Sequence, residues 1–299
     1  MASQGKKLTM NLFSRLKKRE QKIVMLTAYD LTSALIASQA GVDAILVGDS
    51  LGMVVLGHEN TLPVTMADMV HHCRAVRRAE PQVPVIADMP FGSFHLGSRE
   101  TVANGLRLMK EAGVSGVKIE GGRIRTDAIR GLLDAEIPVM GHLGLTPQSV
   151  HRLGGYRVQG RGARAAAALK EDARWLQEMG CFALVLECVP SALAASISQE
   201  LDIPTIGIGA GPGCDGQILV FHDMLGLFQG LKPKFVKRYA ELGEAAVTAV
   251  GQYAQEVRSG AFPAPEHEYG ESPTDGADGG PGNVSGQAGY LGEVDPGKG

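Results

Sequence analysis

The chain has 299 residues, 44% hydrophobic and 20% charged, a balance that excludes a wholly disordered protein and suits a soluble fold with a sizeable core. A formal charge of -3 gives no overall attraction to nucleic acid or to an anionic membrane. No apolar run reaches the roughly 18 residues that span a bilayer, and Cys73, Cys181, Cys188 and Cys214 form neither a CxxC pair nor a zinc set, so a cytoplasmic protein with inert thiols is expected.

The basic start, with Lys6, Lys7, Arg15, Lys17, Lys18 and Arg19, imitates a transit peptide. Leu8, Met10, Leu12, Phe13 and Leu16 share one helical face, however, and predict an amphipathic lead-in helix. From Lys22 onward short β-rich runs alternate with helical stretches, the pattern of repeated βα units. The first four runs are KIVMLTAYD (22–30), VDAILVGDS (42–50), VPVIADMP (83–90) and GVKIEGG (116–122). The second half supplies IPVMGHLG (137–144), FALVLECVP (182–190), IPTIGIGAG (203–211) and GQILVFHD (216–223).

Helices are expected at 67–78, 100–112 and 163–179, which are rich in Ala, Leu, Glu, Arg and Lys. Eight parallel strands with helical crossovers predict an α/β fold, a closed (β/α)8 TIM barrel, although the crossover from Gly211 to Gly216 leaves little room for a helix. A further helix is expected at 234–257, flanking the barrel or meeting a neighbouring subunit. Ten glycines fall among the last thirty residues. The expected division is therefore a single barrel domain at 1–262 and a disordered, acidic Gly/Pro tail at 263–299.

Barrels gather their functional groups at the carboxyl ends of the strands, and here those ends are acidic. Asp30 closes the first run, Asp49 and Ser50 the second, Asp88 the third, Lys118 and Glu120 the fourth, His142 the fifth and Glu187 the sixth. Any one of these Asp or Ser residues reads more readily as a helix cap or turn former, but their recurrence on successive strands does not. Lys118 and Glu120, two apart, share one strand face, while Val117 and Ile119 take the other. Asp49, Asp88 and Glu120 offer hard oxygen ligands, which suit Mg²⁺. A 2-keto acid could chelate such an ion, and the metal would acidify the neighbouring C–H. Glu187, emerging among apolar residues, is the candidate base, and Lys118 the candidate partner of the substrate carboxylate or enolate oxygen. Two features stay open. GIGAGPG (207–213) is either a close backbone approach to a ligand or a turn, and His142 either contacts a ligand or satisfies a buried hydrogen bond.

The blocks VGDSLGMVVLGHENTLPVT, IADMPF, VKIEGG, MGHLGLTPQSV, GGYRVQGR, LVLECVP and IGIGAG…DGQILV occur in this order between about Leu8 and Lys237. In this the chain resembles the ketopantoate hydroxymethyltransferase family. The resemblance implies a barrel of the phosphoenolpyruvate/pyruvate type. It also implies hydroxymethyl transfer from 5,10-methylenetetrahydrofolate to 3-methyl-2-oxobutanoate, giving 2-dehydropantoate for pantothenate and coenzyme A. It assigns Asp49, Asp88 and Glu120 to Mg²⁺, Asp49, Ser50, Asp88 and Lys118 to the keto acid, and Glu187 to proton abstraction. Small-molecule substrates, no nucleic acid or membrane partner, and a homo-oligomeric ring, commonly a decamer, are implied with it. The chain departs from the family pattern at PGCDGQ (212–217) and in the acidic tail. The competing readings are a Mg²⁺-dependent keto-acid lyase or mutase on the same kind of barrel, and a non-enzymatic scaffold recruiting partners through that tail.

Overall fold

A computed structural model of the chain describes residues 9–228, 230 and 233–268. It divides into two units, 1–246 and 247–299. The first holds a closed barrel of eight parallel strands in sequential order.

The elements follow the expected order. Helix α1 (Asn11–Lys18) precedes β1 (Ile23–Thr27), α2 (Leu31–Gln39), β2 (Ala44–Val47), α3 (Leu51–Val54), α4 (Met66–Arg77) and β3 (Val85–Asp88). Then come α5 (Ser98–Lys110), β4 (Gly116–Glu120), α6 (Thr126–Asp134), β5 (Val139–Gly144), α7 (Val150–Leu153), α8 (Ala163–Met179) and β6 (Ala183–Glu187). Helix α9 (Ser191–Glu200), β7 (Thr205–Ile208), β8 (Gly216–Leu219) and α10 (Phe221–Met224) complete the barrel. No helix joins β7 to β8, as the short crossover required. The lead-in helix forms with Leu12 and Phe13 buried; Leu8, assigned to the same face, lies outside the described residues.

Two apolar layers hold the barrel. Inside it, Phe13 of α1 joins Ile23, Met25, Leu46, Ile86, Met140, Val185, Ile206 and Ile218. Between strands and helices runs a larger layer that includes Ile45, Val47, Val117, Ile119, Leu132, Leu176 and Ile197. Each such side chain, fully buried, contributes about 1.5–3 kcal/mol. Lys17 fixes α1 beneath the barrel, donating to the Ile203 carbonyl at 3.1 Å and to Asp215 Oδ2 at 2.9 Å, both just ahead of the strands.

The helix expected at 234–257 begins later, as α11 (Leu242–Ser259). Tyr239 N donates to the Met224 carbonyl at 2.8 Å and Leu242 N to that of Leu225 at 2.9 Å, so the preceding stretch spends its backbone on α10 and its C-terminal flank rather than on a helix. No residue of α11 is buried. Of the expected tail, Pro265–His267 forms one 3-10 turn, and residues 269–299 lie outside the described residues. Among the described residues no helix is long and apolar enough to cross a membrane.

Candidate active site

Strand register assembles the site. Asp88 stands beside Lys118, Glu120 beside His142, and Gly144 beside Glu187. Because alternate residues face the interior, Ile86, Met140 and Val185 fill the barrel one step below, and the polar groups follow them at the carboxyl ends. Asp49, Asp88, Lys118, Glu120 and His142 are all buried. Together with Ser50 and Glu187 they line a cavity of about 700 Å³, walled by Met53, Tyr156, Val158, Phe228 and Phe235. Every strand-end residue singled out from the sequence reaches this cavity except Asp30. Its Oδ1 accepts from Ser33 N at 2.7 Å, and it serves as the N-cap of α2.

The contacts are specific. Lys118 Nζ lies 3.0 Å from Asp88 Oδ1 and 3.0 Å from His142 Nδ1. Asp49 N donates to Asp88 Oδ2 at 3.0 Å. An ammonium has donors only, so Nδ1 of His142 accepts and the ring proton sits on Nε2. That nitrogen lies 3.2 Å from Glu187 Oε2, close enough to interact although not aligned as a hydrogen bond. His142 therefore satisfies a buried hydrogen bond with Lys118, and its ring also lines the cavity. Gly144 makes the close approach possible. At φ 91° it lies so near the Glu187 carbonyl that a Cβ would collide with it.

Electrostatics show which way the site is unbalanced. Burial, then the charges of Asp88 and Glu120, push the Asp49 carboxyl well above its ordinary range. Glu120 is pushed up as well, chiefly by burial, with Lys118 opposing and Asp88 adding. Burial works against the Lys118 ammonium, but Asp88, Glu120 and Asp49 outweigh it and hold it above the usual lysine value. Burial and Lys118 depress His142, which is neutral. Three buried carboxylates thus share one cation.

That excess of negative charge fits a divalent metal. Gln148 Oε1 is buried without a hydrogen-bond partner, an oxygen open to a cation or its water, while Asp88 Oδ1 has only the ion pair with Lys118. Among the described residues no three His, Cys, Asp or Glu side chains already stand as a metal-holding group, since Lys118 and Gln148 engage the carboxylates instead.

The model of the ketopantoate hydroxymethyltransferase family matches residues 7–265. The chain belongs to that family. A 3-methyl-2-oxobutanoate hydroxymethyltransferase of Nitratidesulfovibrio vulgaris is 59% identical over 256 residues, covering 86% of this chain and 83% of the relative. One from Syntrophomonas wolfei is 54% identical over 261 residues, covering 87% and 95%. Among solved structures, a 2,3-dimethylmalate lyase of the PEP mutase/isocitrate lyase superfamily aligns with a TM-score of 0.56 at 18% identity, covering 89% of each chain. A phosphonopyruvate hydrolase solved with oxalate and Mg²⁺ aligns at 0.57 and 14%, covering 87% and 93%. These two share the fold. As a hydroxymethyltransferase-family chain, the protein is an enzyme.

Sequence reasoning missed several residues of this family member's site. Gln148 donates through Nε2 to Asp49 Oδ2 at 2.8 Å and to the Met89 carbonyl at 2.9 Å, while its backbone N–H reaches Glu120 Oε2 at 3.0 Å. One residue thus braces carboxylates from two strands. The available signal was a polar residue in the TPQS turn directly after β5. Tyr29 was also missed; its hydroxyl lies 2.7 Å from Ser50 Oγ and orients it. The glycine-rich block divides: Gly209 faces the cavity, whereas Gly211 and Gly213 pack against α9 at Ser191 and Ala195.

Proposed function

We propose that the chain transfers a hydroxymethyl group from 5,10-methylenetetrahydrofolate to 3-methyl-2-oxobutanoate, giving 2-dehydropantoate for pantothenate and coenzyme A synthesis. The observation that carries this reading is the pairing of one buried ammonium and three buried carboxylates with a further carboxylate, Glu187, on the same cavity. Asp49, Asp88 and Glu120 would hold Mg²⁺, whose charge, when bound, polarises the ketone and acidifies the adjacent C–H.

The residues divide the remaining work. Lys118, with Asp49, Asp88 and Ser50 around it, receives the keto-acid head, its ammonium offsetting charge on carboxylate or ketone oxygen. Glu187 takes the proton from C3. His142 presents Nε2–H to Glu187 and restricts its position. The freed electron pair on C3 forms the new C–C bond to the one-carbon unit, water supplies the hydroxyl oxygen, and tetrahydrofolate departs. The apolar walls, Met53, Val158, Phe228 and Phe235, suit the isopropyl group and keep bulk water from the carbanion. A cytoplasmic location and a homo-oligomeric, decameric ring belong to the same proposal.

The test is exchange of the C3 hydrogen of 3-methyl-2-oxobutanoate with D₂O, followed by NMR. Glu187→Gln is expected to slow exchange by at least about 100-fold while leaving Mg²⁺ binding in place. Exchange at the unaltered rate would remove Glu187 as the base.

A further inference from the structure

A second cavity, of about 220 Å³, opens beside the first and shares Glu120 with it as a wall. It is built by the loop after β3, the 3-10 turn Arg123–Arg125 after β4, and the turns after β5. Its chemistry reverses that of the larger chamber, because its prominent charged groups are guanidinium ions.

Arg125 lies with its guanidinium carbon 5.2 Å from the centre of the Phe94 ring and its Nη2 2.9 Å from His95 Nε2. Its Nε is buried without a hydrogen-bond partner among the described residues. Arg152 lines the same cavity and reaches only as far as Ser149 Oγ, at 3.4 Å. Among the described residues neither guanidinium has a carboxylate within ion-pairing distance. Burial and the charge of Arg152 press Arg125 below its usual value, with Glu120 only partly offsetting them. Glu120 already accepts from Gln148 N. His95, lowered to about 4 by burial and by Arg125, is neutral at pH 7 and accepts rather than balances charge. Two forked cations therefore face this space with no carboxylate of the described residues within ion-pairing distance, and guanidinium forks match carboxylate geometry.

Part of the remaining wall is apolar, with Leu62, Phe91 and Phe94 set beside the polar Gln148, Ser149 and His151. Phe91 is 45% exposed, and with Phe94 it forms an aromatic side to the cavity. An inorganic anion would use the guanidinium groups and leave that side in water. We propose that this cavity binds an aromatic carboxylate, its ring against Phe91 and Phe94 and its carboxylate held by Arg125 and Arg152. Two sources carry that chemistry: the benzoylglutamate end of the folate co-substrate, or an independent aryl acid. The first source rests on the folate reading above; the site itself does not.

The experiment is isothermal titration of the full chain, saturated with 3-methyl-2-oxobutanoate so that the larger chamber is filled, using 4-aminobenzoylglutamate and, separately, inorganic phosphate. One aryl ligand per chain is expected. Arg152→Ala should weaken it at least about tenfold, and Phe91→Ala about threefold or more, with phosphate much weaker throughout. Absence of binding, affinity unchanged in Arg152→Ala, or phosphate binding as tightly as the aryl acid would overturn the proposal. Displacement by tetrahydrofolate identifies the ligand as the co-substrate's tail, and simultaneous binding identifies a separate aryl acid. Because no turnover is measured, failure of the folate reading and failure of this site are told apart.

Discussion

His142 Nε2 lies 3.2 Å from Glu187 Oε2 while the opposite ring nitrogen lies 3.0 Å from Lys118 Nζ. The lysine fixes the tautomer, and the tautomer decides that a ring N–H faces Glu187. One ring thereby connects Lys118, proposed to receive the substrate's charge, with Glu187, proposed to take its proton.

His142→Phe keeps a ring but removes both polar ends. The expected result is a kcat lowered about 10–100-fold with the KM for the keto acid changed less than about threefold, because Glu187 loses its orientation and the binding groups remain. Steady-state kinetics read the split. Equal loss in kcat and binding would reduce His142 to a structural element.

Gly144→Ala puts a Cβ against the Glu187 carbonyl at a backbone angle that L side chains rarely adopt. We expect a loss of about 1–3 kcal/mol in stability, by urea denaturation, together with reduced C3–H exchange. Unaltered exchange in a destabilised protein would separate Gly144 from the geometry of the base.

Most of the architecture was legible because its signals are local. Each strand is a run of β-branched and aliphatic residues, and the first six close on a polar group at the end where barrels bind ligands. Lys118 and Glu120 could be placed on one face from spacing alone, with Val117 and Ile119 on the other, and the structure agrees. Asp30 shows the limit: it ends a run as Asp49 does, yet it caps α2, and only the three-dimensional path separates a cap from a cavity-lining carboxylate. Gln148 was invisible for a different reason. Its role arises from reaching two other strands, and a single amide in a turn has no periodicity. The start of α11 was misjudged because residues 234–241 have adequate helix propensity, which bonding to the segment around α10 overrides.

His95 gives a pH dependence of stability. In the fold its imidazole stays neutral down to about 4, held there by burial and by Arg125. In the unfolded chain it takes a proton near 6.5. Between those values the unfolded state binds the additional proton, so stability falls as pH falls, and above about 6.5 the contribution is complete. His95→Asn keeps an acceptor for Arg125 without a titrating ring. Urea denaturation at pH 7 and pH 5 should show a smaller drop for this variant than for the unaltered protein; equal drops would contradict the depressed imidazole.

The central claim is hydroxymethyl transfer, and it is tested most directly by incubating the purified chain and Mg²⁺ with 3-methyl-2-oxobutanoate, with and without 5,10-methylenetetrahydrofolate, and identifying the product by mass. The expected product is heavier than the keto acid by one CH₂O unit, formed only when the folate is present and lost when the metal is chelated. Consumption of the keto acid at the same rate without the folate, or cleavage to smaller acids, would contradict that claim.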